Sequence, residues 1–257
     1  MLTSSHRKQG NTARMVQMIA ERLQELSTGA GESLEIETRN LAHMHLEMCR
    51  GCRVCFDQGE CKCPLKDDLL AVKSAMKAAD GVIVASPVYV EDVNGVMKNW
   101  IDRLAHVCHR PEFAGKYAYI LATSGVGSTD HALRTMNVAL RTWGFHMIGQ
   151  SRFTTGAYLP HQEMEARYRT QTRQIAHKVL ESVRKNQATH PSFVSLMAFS
   201  MQQRYFRSAD KDSIDHAYWA TNGWANPRCD YYIPHKASRV KVALARLAGA
   251  VVPRFLS

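Results

Sequence analysis

The sequence predicts an α/β protein with a doubly wound, parallel, five-stranded sheet. Two observations predict this fold. Short apolar segments of strand length alternate with amphipathic helical segments, and two of the apolar segments, at 81–90 and 117–125, are almost continuously apolar. Continuous apolar runs are typical of strands covered on both faces, and regular alternation with helices favours a parallel sheet between two helical layers. The same regularity argues against an all-β fold.

The predicted elements follow one another along the whole first part of the chain. Residues 11–26 form the first predicted helix, because apolar residues recur there at steps of three and four. The later predicted strands are 33–41, 81–90, 117–125 and 146–153, and the later helices are 66–80, 93–107, 130–143 and 163–185. The acidic pair of KDD (66–68) is expected in the first turn of its helix, where the helix macrodipole favours negative charge.

The first strand of this sheet is unusually short in the sequence. Only Met1, Leu2 and Thr3 precede a polar loop, although this strand should be central in a doubly wound sheet. The pattern therefore predicts that the N-terminus is incomplete.

Composition restricts the class of protein. The 257 residues are 45% hydrophobic and 22% charged, as in soluble globular proteins, and no apolar run resembles a signal peptide or a membrane span. We therefore expect a cytoplasmic protein without a membrane partner. The net charge is +10, but the basic residues are spread along the chain, so nucleic acid is not an expected partner either.

Two domains are predicted, a nucleotide-binding domain at 1–186 and a C-terminal extension at 187–257. The extension is expected to be folded, because Trp219 and Trp224, with three nearby tyrosines, supply large apolar anchors. It should begin with a helix opened by Pro191 and end in a basic amphipathic helix at 237–252. That last helix is expected to pack on the protein with its basic face in solvent, and a membrane-surface helix is the alternative.

The loop SSHRKQGNT (4–12) is the first candidate binding site. It combines hydroxyl groups, a cation and a flexible glycine just before the free N–H groups of a helix, an arrangement that suits a phosphate. Its candidate ligand-binding residues are Ser4, Ser5, Arg7, Gly10, Asn11 and Thr12. An ordinary capped helix with a solvated loop is the alternative.

Two further loops are expected beside this one. Pro87 and Tyr89 turn the chain at the carboxyl end of a buried strand, and small residues at 123–128 follow the next strand. Ligands of open α/β sheets bind outside the carboxyl ends of the strands, so the three loops should converge on one crevice, where Tyr89 could stack on a planar ring.

These segments resemble those of a known family. SSHRKQGNT is similar to the GSPRKxGNT phosphate loop of the flavodoxin-like, NADPH-dependent FMN reductase family, and SPVYVEDVNGVMKNWIDR is similar to its SPVY…K…DR segment. The resemblance covers about residues 1–155. It implies that Ser5, Arg7, Asn11 and Thr12 hold the FMN phosphate, and that the ring and ribityl chain are bordered by Pro87, Val88, Tyr89, Val90, Thr123, Ser124 and Gly125. Ser4 replaces the usual glycine, and Glu91-Asp92 stands where small residues are common.

A dense group of cysteines, CRGCRVCFDQGECKCP (49–64), is the second candidate site. Cys49, Cys52, Cys55 and Cys61 form C-x2-C-x2-C-x5-C, and Cys63 follows. Four thiolates so arranged can hold an iron–sulfur cluster; zinc or no metal at all are the alternatives, whereas disulfides are not expected in a reducing compartment.

The cysteine run also resembles that of the iron–sulfur flavoprotein branch of the same family. The resemblance implies a [4Fe–4S] cluster on Cys49, Cys52, Cys55 and Cys61, and a homo-oligomer, a dimer or tetramer, in which the cluster of one subunit approaches the flavin of another. The predicted function is an FMN-dependent oxidoreductase that passes electrons between FMN and the cluster, with NAD(P)H as a donor and a redox protein or small molecule as acceptor.

Two other functions stay open at this point. One is an FMN-only NAD(P)H-dependent reductase of quinones, nitro or azo compounds or flavin, and the other is a non-enzymatic, zinc-stabilised binding module. The sequence assigns no catalytic acid, base or nucleophile.

Overall fold

The computed structural model describes residues 1–157, 159–185 and 190–251, which form two compact units. The first unit comprises Met1–Cys49, Asp67–Ala105 and Lys116–Asn186, and the second comprises Arg50–Lys66, His106–Gly115 and the described residues of Gln187–Ser257. The cysteine loop therefore belongs to the second unit from Arg50 onward, whereas Cys49 ends a segment of the first.

The strands are β1 (Leu2–Thr3), β2 (Arg39–Asn40), β3 (Gly81–Tyr89), β4 (Asp92–Val93), β5 (Tyr117–Ser124) and β6 (His146–Thr154). The helices are α1 (Asn11–Gly29), α2 (Val54–Asp57), α3 (Leu69–Ala78), α4 (Gly95–Arg103), α5 (Asp130–Thr142), α6 (His161–Lys185), α7 (Phe193–Ser208), α8 (Ile214–Thr221) and α9 (Arg239–Val251). Short 3-10 turns lie at Leu41–His43, Glu60–Lys62 and Ala105–Cys108.

The sheet lies in the first unit and has the predicted topology. Its parallel strands are ordered β2-β1-β3-β5-β6, and β4 pairs antiparallel with the end of β3. From β1 the chain crosses to β2 on one side and then returns to β3 on the other. The switch point is therefore between β1 and β3, where the loops that leave the two strands diverge and leave room for a ligand.

Both faces of the sheet are covered, as the continuous apolar runs predicted. On one face α1 and α6 pack together over Ile83 and Tyr119. Because side chains alternate along a strand, Val82 and Val84 point to the other face, where they are also buried. The sheet is thus packed on both faces, and the candidate site lies at the carboxyl ends of its strands.

The predicted strand at 33–41 is much shorter in the structure. Only Arg39 and Asn40 pair with β1, because β1 itself offers two residues to the ladder. Leu34 and Ile36 still pack against the core, so the alternating pattern identified the apolar positions correctly. They are not part of the strand because β1 has no further residues for them to pair with.

Two predicted helices also have different limits. The helix expected at 66–80 begins at Leu69, so Asp67 and Asp68 precede it and no acidic residue occupies its first turn. The helix expected at 93–107 is divided into the end of β4, the shorter α4 and a 3-10 turn. Asn94 separates β4 from α4, and its side chain accepts a hydrogen bond from the amide of Met97, which fixes the start of α4.

The second unit has an aromatic core of its own. Phe199, Phe206, Trp219 and Trp224 are buried together, and Phe206 stacks on Trp219 with ring centroids 5.2 Å apart. Helix α7 begins after Ser192, which caps it, rather than at Pro191. Helix α9 packs on α7. No described helix has both the length and the apolar character that crossing a membrane requires.

Candidate functional site

The loop between β1 and α1 folds tightly back on itself. The amide of Gly10 donates to the carbonyl of Arg7 at 3.0 Å, and the Ser5 hydroxyl accepts from the Arg7 amide at 3.3 Å. A Cβ atom on Gly10 would lie 2.9 Å from that of Arg7, a distance that side chains do not adopt. The loop therefore requires glycine here because of packing, whereas sequence reasoning had credited only its flexibility.

The N-terminus of α1 is open toward this loop. Gly10 stands at the capping position and supplies no side-chain acceptor, and the first turn contains no acidic residue. Arg7, Lys8 and Arg14 are the charged residues nearby in sequence, and the first acidic residue of the chain is Glu21. Free helix N–H groups, the positive end of the macrodipole and these cations together favour an anion.

Thr12 and Thr123 connect this helix to the sheet. Their hydroxyl oxygens lie 2.5 Å apart and both side chains are buried. Thr12 is in the first turn of α1 and Thr123 is at the carboxyl end of β5. The hydrogen bond brings two of the predicted loops into direct contact.

Ser4 is held from the other side by a residue that sequence reasoning missed. The side-chain amide of Asn94 donates to the backbone carbonyl of Ser4 at 2.6 Å. The Ser4 hydroxyl lies 3.4 Å from the hydroxyl of Ser86 on β3. Asn94 is itself buried and caps α4. In the sequence, Asn94 is recognisable only as an asparagine directly before a helix, which indicates a helix cap. Its hydrogen bond to Ser4, 90 residues away in the chain, depends on the tertiary structure.

The segment after β6 is the other missed part of this site. The Asn11 side chain donates to the Thr155 hydroxyl at 2.8 Å and to the Gly156 carbonyl at 3.4 Å, and Arg7 donates to the Ala157 carbonyl at 3.5 Å. A fourth strand end therefore reaches the phosphate loop, since β6 lies beside β5. The small residues TTGA (154–157) were the only sequence signal.

The end of β3 and the turn after it present the exposed surface of the site. The chain was expected to turn at Pro87 and Tyr89, but β3 continues through Tyr89 and the turn follows at Val90 and Glu91. Pro87 and Val88 are half-buried, Tyr89 is 48% exposed and Val90 is 99% exposed. Val90 and Glu91 form the two-residue turn between β3 and β4, and both have positive φ, 49° and 66°. Positive φ at both positions indicates a type I′ turn, in which a β-branched residue such as valine is strained. Strain of this kind is concentrated at ligand sites.

The loop after β5 approaches the segment after β6 closely. Ser124 is buried, its hydroxyl donates to the Val126 carbonyl at 2.9 Å, and its carbonyl accepts from the Thr155 amide at 2.8 Å. A Cβ atom on Gly125 would lie 3.2 Å from the Gly156 carbonyl oxygen. A small residue is therefore needed where the two loops meet.

The donor set of these loops fits the phosphate end of a flavin nucleotide. At one end of the candidate site are the uncapped amides of α1, buried hydroxyls and the exposed guanidinium of Arg7. At the other end is the exposed aromatic ring of Tyr89. All the predicted residues lie in the first unit, in the loops, the strand ends or the first turn of α1 at the carboxyl edge of the sheet: Ser4, Ser5, Arg7, Gly10, Asn11, Thr12, Pro87, Val88, Tyr89, Val90, Thr123, Ser124 and Gly125.

The two segments that flank the cysteine loop, at Glu47 before it and at Asp67 after it, are anchored to α4. Arg103 donates two hydrogen bonds to the Asp67 carboxylate, at 2.6 and 3.1 Å, and a third at 2.7 Å to the Glu47 carbonyl. Both charged side chains are buried, at 3% and 1% exposure. Burial alone would raise the pKa of Asp67, but the hydrogen bonds from Arg103 and from two backbone amides bring it below its ordinary value.

The cysteine loop itself is sharply bent. Gly51, Arg53 and Gly59 have positive φ, at 64°, 62° and 96°, and they lie on either side of the single-turn helix α2. The thiols are free of disulfides: Cys49, Cys52 and Cys61 are exposed, and Cys55 and Cys63 are half-buried. Among the described residues no three of these sulfurs lie within 4.8 Å of one another.

Comparisons with known proteins agree with the fold and identify the family. The sequence model of the NADPH-dependent FMN reductase family matches residues 1–159. An iron–sulfur flavoprotein of Archaeoglobus fulgidus is 33% identical over 149 residues, which cover 58% of this chain and 64% of the relative. An iron–sulfur flavoprotein of Methanosarcina thermophila is 28% identical over 168 residues, 63% of this chain and 86% of the relative.

Solved structures give the same fold. A flavone reductase superposes with a TM-score of 0.56 at 15% identity, over 71% of this chain and 62% of its own. Identity this low shows the fold alone. The chain spans less than two thirds of the Archaeoglobus relative, at 64%. The family match, in contrast, covers more than half of the chain and includes the loops after β1, β3 and β5. The chain therefore belongs to the NADPH-dependent FMN reductase family, a family of FMN-dependent oxidoreductases.

Proposed function

We propose that this protein is an FMN-dependent oxidoreductase that transfers electrons between FMN and a [4Fe–4S] cluster. The observation that carries the proposal is the presence, in one chain, of the anion-binding α1 loop and of four cysteines at C-x2-C-x2-C-x5-C spacing. NAD(P)H is the proposed electron donor, and a redox protein or a small molecule is the proposed acceptor.

The first unit would hold the flavin. Its phosphate would be bound by Ser5, Arg7, Asn11 and Thr12 together with the free amides of α1. The segments at 87–90 and 123–125, where β3 and β5 end, would border the ring, and Tyr89 offers the largest exposed apolar side chain among them. When bound, FMN supplies a ring that exchanges electrons singly or in pairs, which suits a partner that carries one electron at a time.

The cysteine loop would hold the cluster through Cys49, Cys52, Cys55 and Cys61. Three features support this assignment: the thiols form no disulfide bonds, none of the four is fully buried, and the backbone is bent at three positive-φ residues, so that a short stretch turns repeatedly. The names of the curated relatives from Archaeoglobus and Methanosarcina agree with an iron–sulfur centre. Four thiolates are the ligand set that such a cluster requires.

We also propose a homo-oligomer, in which the cluster of one subunit approaches the flavin of another. This arrangement would place a one-electron carrier beside a two-electron carrier. Size-exclusion chromatography with light scattering tests it, since a monomer that retains full electron transfer to a one-electron acceptor would contradict it.

Anaerobic purification of the wild-type protein tests the cofactors. We expect one FMN per chain, about four iron atoms and four acid-labile sulfides per chain, and reduction of the flavin by NADH or NADPH. The Cys61→Ser variant should lose the iron and sulfide and keep the FMN, whereas Cys229→Ser, outside the motif, should keep both.

The other outcomes assign other functions. Flavin with rapid NAD(P)H turnover but no iron would identify an FMN-only reductase of quinones, nitro or azo compounds or flavin. Zinc without flavin would identify a binding module and would overturn the redox assignment.

A further inference from the structure

A compact group of metal-ligating side chains lies in the second unit, outside the flavin loops and the four-cysteine motif. Glu60, His106 and Glu112 each offer one ligand atom, and these atoms all lie within 4.8 Å of one another. Glu60 begins the 3-10 turn of the cysteine loop, His106 lies in the turn after α4, and Glu112 follows it by six residues. We propose that Glu60, His106 and Glu112 bind one divalent first-row transition metal ion.

Burial of the imidazole is the first argument. The His106 side chain is fully buried, and its Nε2 atom lies 3.8 Å from a Glu60 carboxylate oxygen. Glu60 and Glu112 are half-buried. An ion that draws these three atoms together would replace contacts longer than a hydrogen bond by coordinate bonds of about 2.0–2.2 Å.

Charge is the second argument. Arg110, the cation beside this group, is ion-paired with Asp215 and donates a hydrogen bond to the Cys55 carbonyl at 2.6 Å. It is only 3.8 Å from Glu60. Arg110 is therefore shared between the carboxylates of Asp215 and Glu60, and the ligand oxygens of Glu60 and Glu112 lie within 4.8 Å of each other. Like charges in a half-buried place repel, and a dication reverses that repulsion.

The negative field of this group reaches a neighbouring phenol. Burial, followed by the negative charges of Glu112 and Glu60, raises the pKa of Tyr218, although Arg110 acts in the opposite direction. Tyr218 lies on α8 and packs edge-on against Trp224. The ligand group is thus close enough to act electrostatically on Tyr218, which packs against the aromatic core of the second unit.

The ligand types identify the class of ion. Imidazole is a ligand for transition metals and a poor one for Ca²⁺ or Mg²⁺, while two carboxylates suit Mn²⁺, Fe²⁺ and Zn²⁺ better than a thiolate-seeking ion. Three protein ligands leave at least one coordination position for water. The ion would join the cysteine loop, through Glu60, to the segment 106–115.

Titration of the full-length protein with Mn²⁺ tests the site, because thiolates bind this ion weakly and the cysteine motif does not compete. The protein is kept oxidised, so that neither flavin nor cluster contributes an electron paramagnetic resonance signal. The six-line signal of free Mn²⁺ should disappear with one equivalent bound per chain. The spin echo of the bound ion should show nitrogen coupling from the His106 imidazole.

Three variants complete the test. Glu112→Gln and Glu60→Gln should each weaken Mn²⁺ binding by roughly 10- to 100-fold or more. This is the loss found when a residue that only hydrogen-bonds to a metal ligand is removed, and a direct ligand should cost at least as much. Asp212→Asn removes a carboxylate from the exposed turn before α8 in the same unit and should change nothing. Binding that both glutamine variants leave intact, or bound Mn²⁺ without nitrogen coupling, overturns the site. So does wild-type protein that binds no Mn²⁺. Iron, sulfide and flavin contents are measured separately, so a failure of the redox proposal is recognised independently.

Discussion

The hydroxyl oxygens of Thr12 and Thr123 lie 2.5 Å apart, buried between the first turn of α1 and the carboxyl end of β5. This contact joins two loops whose starting points in the sheet are separated by β3. It holds the open N-terminus of α1 in a fixed position relative to the loop at 123–125, as a preorganised phosphate site requires.

The pair can be tested by removing one hydroxyl and then both. Thr123→Val leaves the Thr12 hydroxyl buried without its partner and should lower the free energy of unfolding by about 1–3 kcal/mol. The double variant Thr12→Val/Thr123→Val should be less destabilised than the sum of the single variants, because no unsatisfied hydroxyl is left. Urea unfolding measures all three. Thr170→Val, at an exposed position of α6, is the control and should be neutral. Simple additivity of the two losses would argue against the contact.

Gly10→Ala should weaken FMN binding. The added Cβ would lie 2.9 Å from the Arg7 Cβ, so the loop must move away from the position that its hydrogen bonds define. We expect a loss of about tenfold or more in affinity, equivalent to about 1.4 kcal/mol, by fluorescence titration with FMN. Gly29→Ala, at the other end of the same helix, meets no atom within 4 Å and should leave the affinity unchanged. Equal affinities of the two variants would show that the loop does not contact the flavin.

Arg7→Gln should also weaken FMN binding, for an electrostatic reason. A charge-assisted hydrogen bond to the phosphate is worth about 1.5–3 kcal/mol, or roughly 10- to 100-fold in affinity. Wild-type affinity should fall as salt rises, and the variant should depend less on salt. Arg173→Gln removes the same charge from an exposed position of α6 and serves as the control. If riboflavin, which has no phosphate, loses as much affinity as FMN, the assignment of Arg7 to the phosphate is wrong.

The Asp67–Arg103 pair predicts a pH dependence of stability. Asp67→Asn leaves the buried Arg103 charge uncompensated and should lower the free energy of unfolding at pH 7 by about 3–5 kcal/mol. Because the folded-state pKa of Asp67 is lowered, this stabilisation is complete above the unfolded-state pKa, about 3.9. It is lost as the pH falls through the lower folded-state value.

The difference between wild type and Asp67→Asn should therefore shrink as the pH is lowered below about 4. Asp102→Asn, in the exposed Lys98–Asp102 pair on the same helix, should cost at most about 1 kcal/mol at pH 7. Urea unfolding between pH 7 and pH 3 provides the measurement. A difference that stays constant over this range would contradict the lowered pKa.

Residues that favour positive φ at the strained turn 90–91 should make the protein more stable. Asn-Gly is the favoured pair for a type I′ turn, so Val90→Asn/Glu91→Gly should raise the free energy of unfolding by about 1 kcal/mol or more. A gain of that size corresponds to about 2–4 °C in Tm. Val126→Asn is the matched control, since Val126 is also exposed and does not have positive φ. A stabilised variant with weakened FMN binding would show that the strain serves the site.

The sequence by itself determined the class of fold and the place of the first candidate site. The apolar runs at 81–90 and 117–125 predict β3 and β5 to within one residue. A strand that is buried on both faces is apolar along its whole length, so it can be recognised without knowing which strands lie beside it. Loop 4–12 was identified because hydroxyls, a cation and a glycine before a helix are adjacent in the sequence. The cysteine spacing is visible for the same reason.

Only the tertiary structure decided which distant residues complete these sites. Asn94 reaches Ser4 across 90 residues, Asn11 reaches Thr155 across 144, and Arg103 binds Asp67 across 36. The length of β2 was decided by the two residues that β1 offers for pairing. The group of Glu60, His106 and Glu112 is formed by two separate segments. A local pattern reports periodicity and burial, whereas a hydrogen bond or a ligand set depends on which distant segments come together in the sheet of the first unit or around the aromatic core of the second.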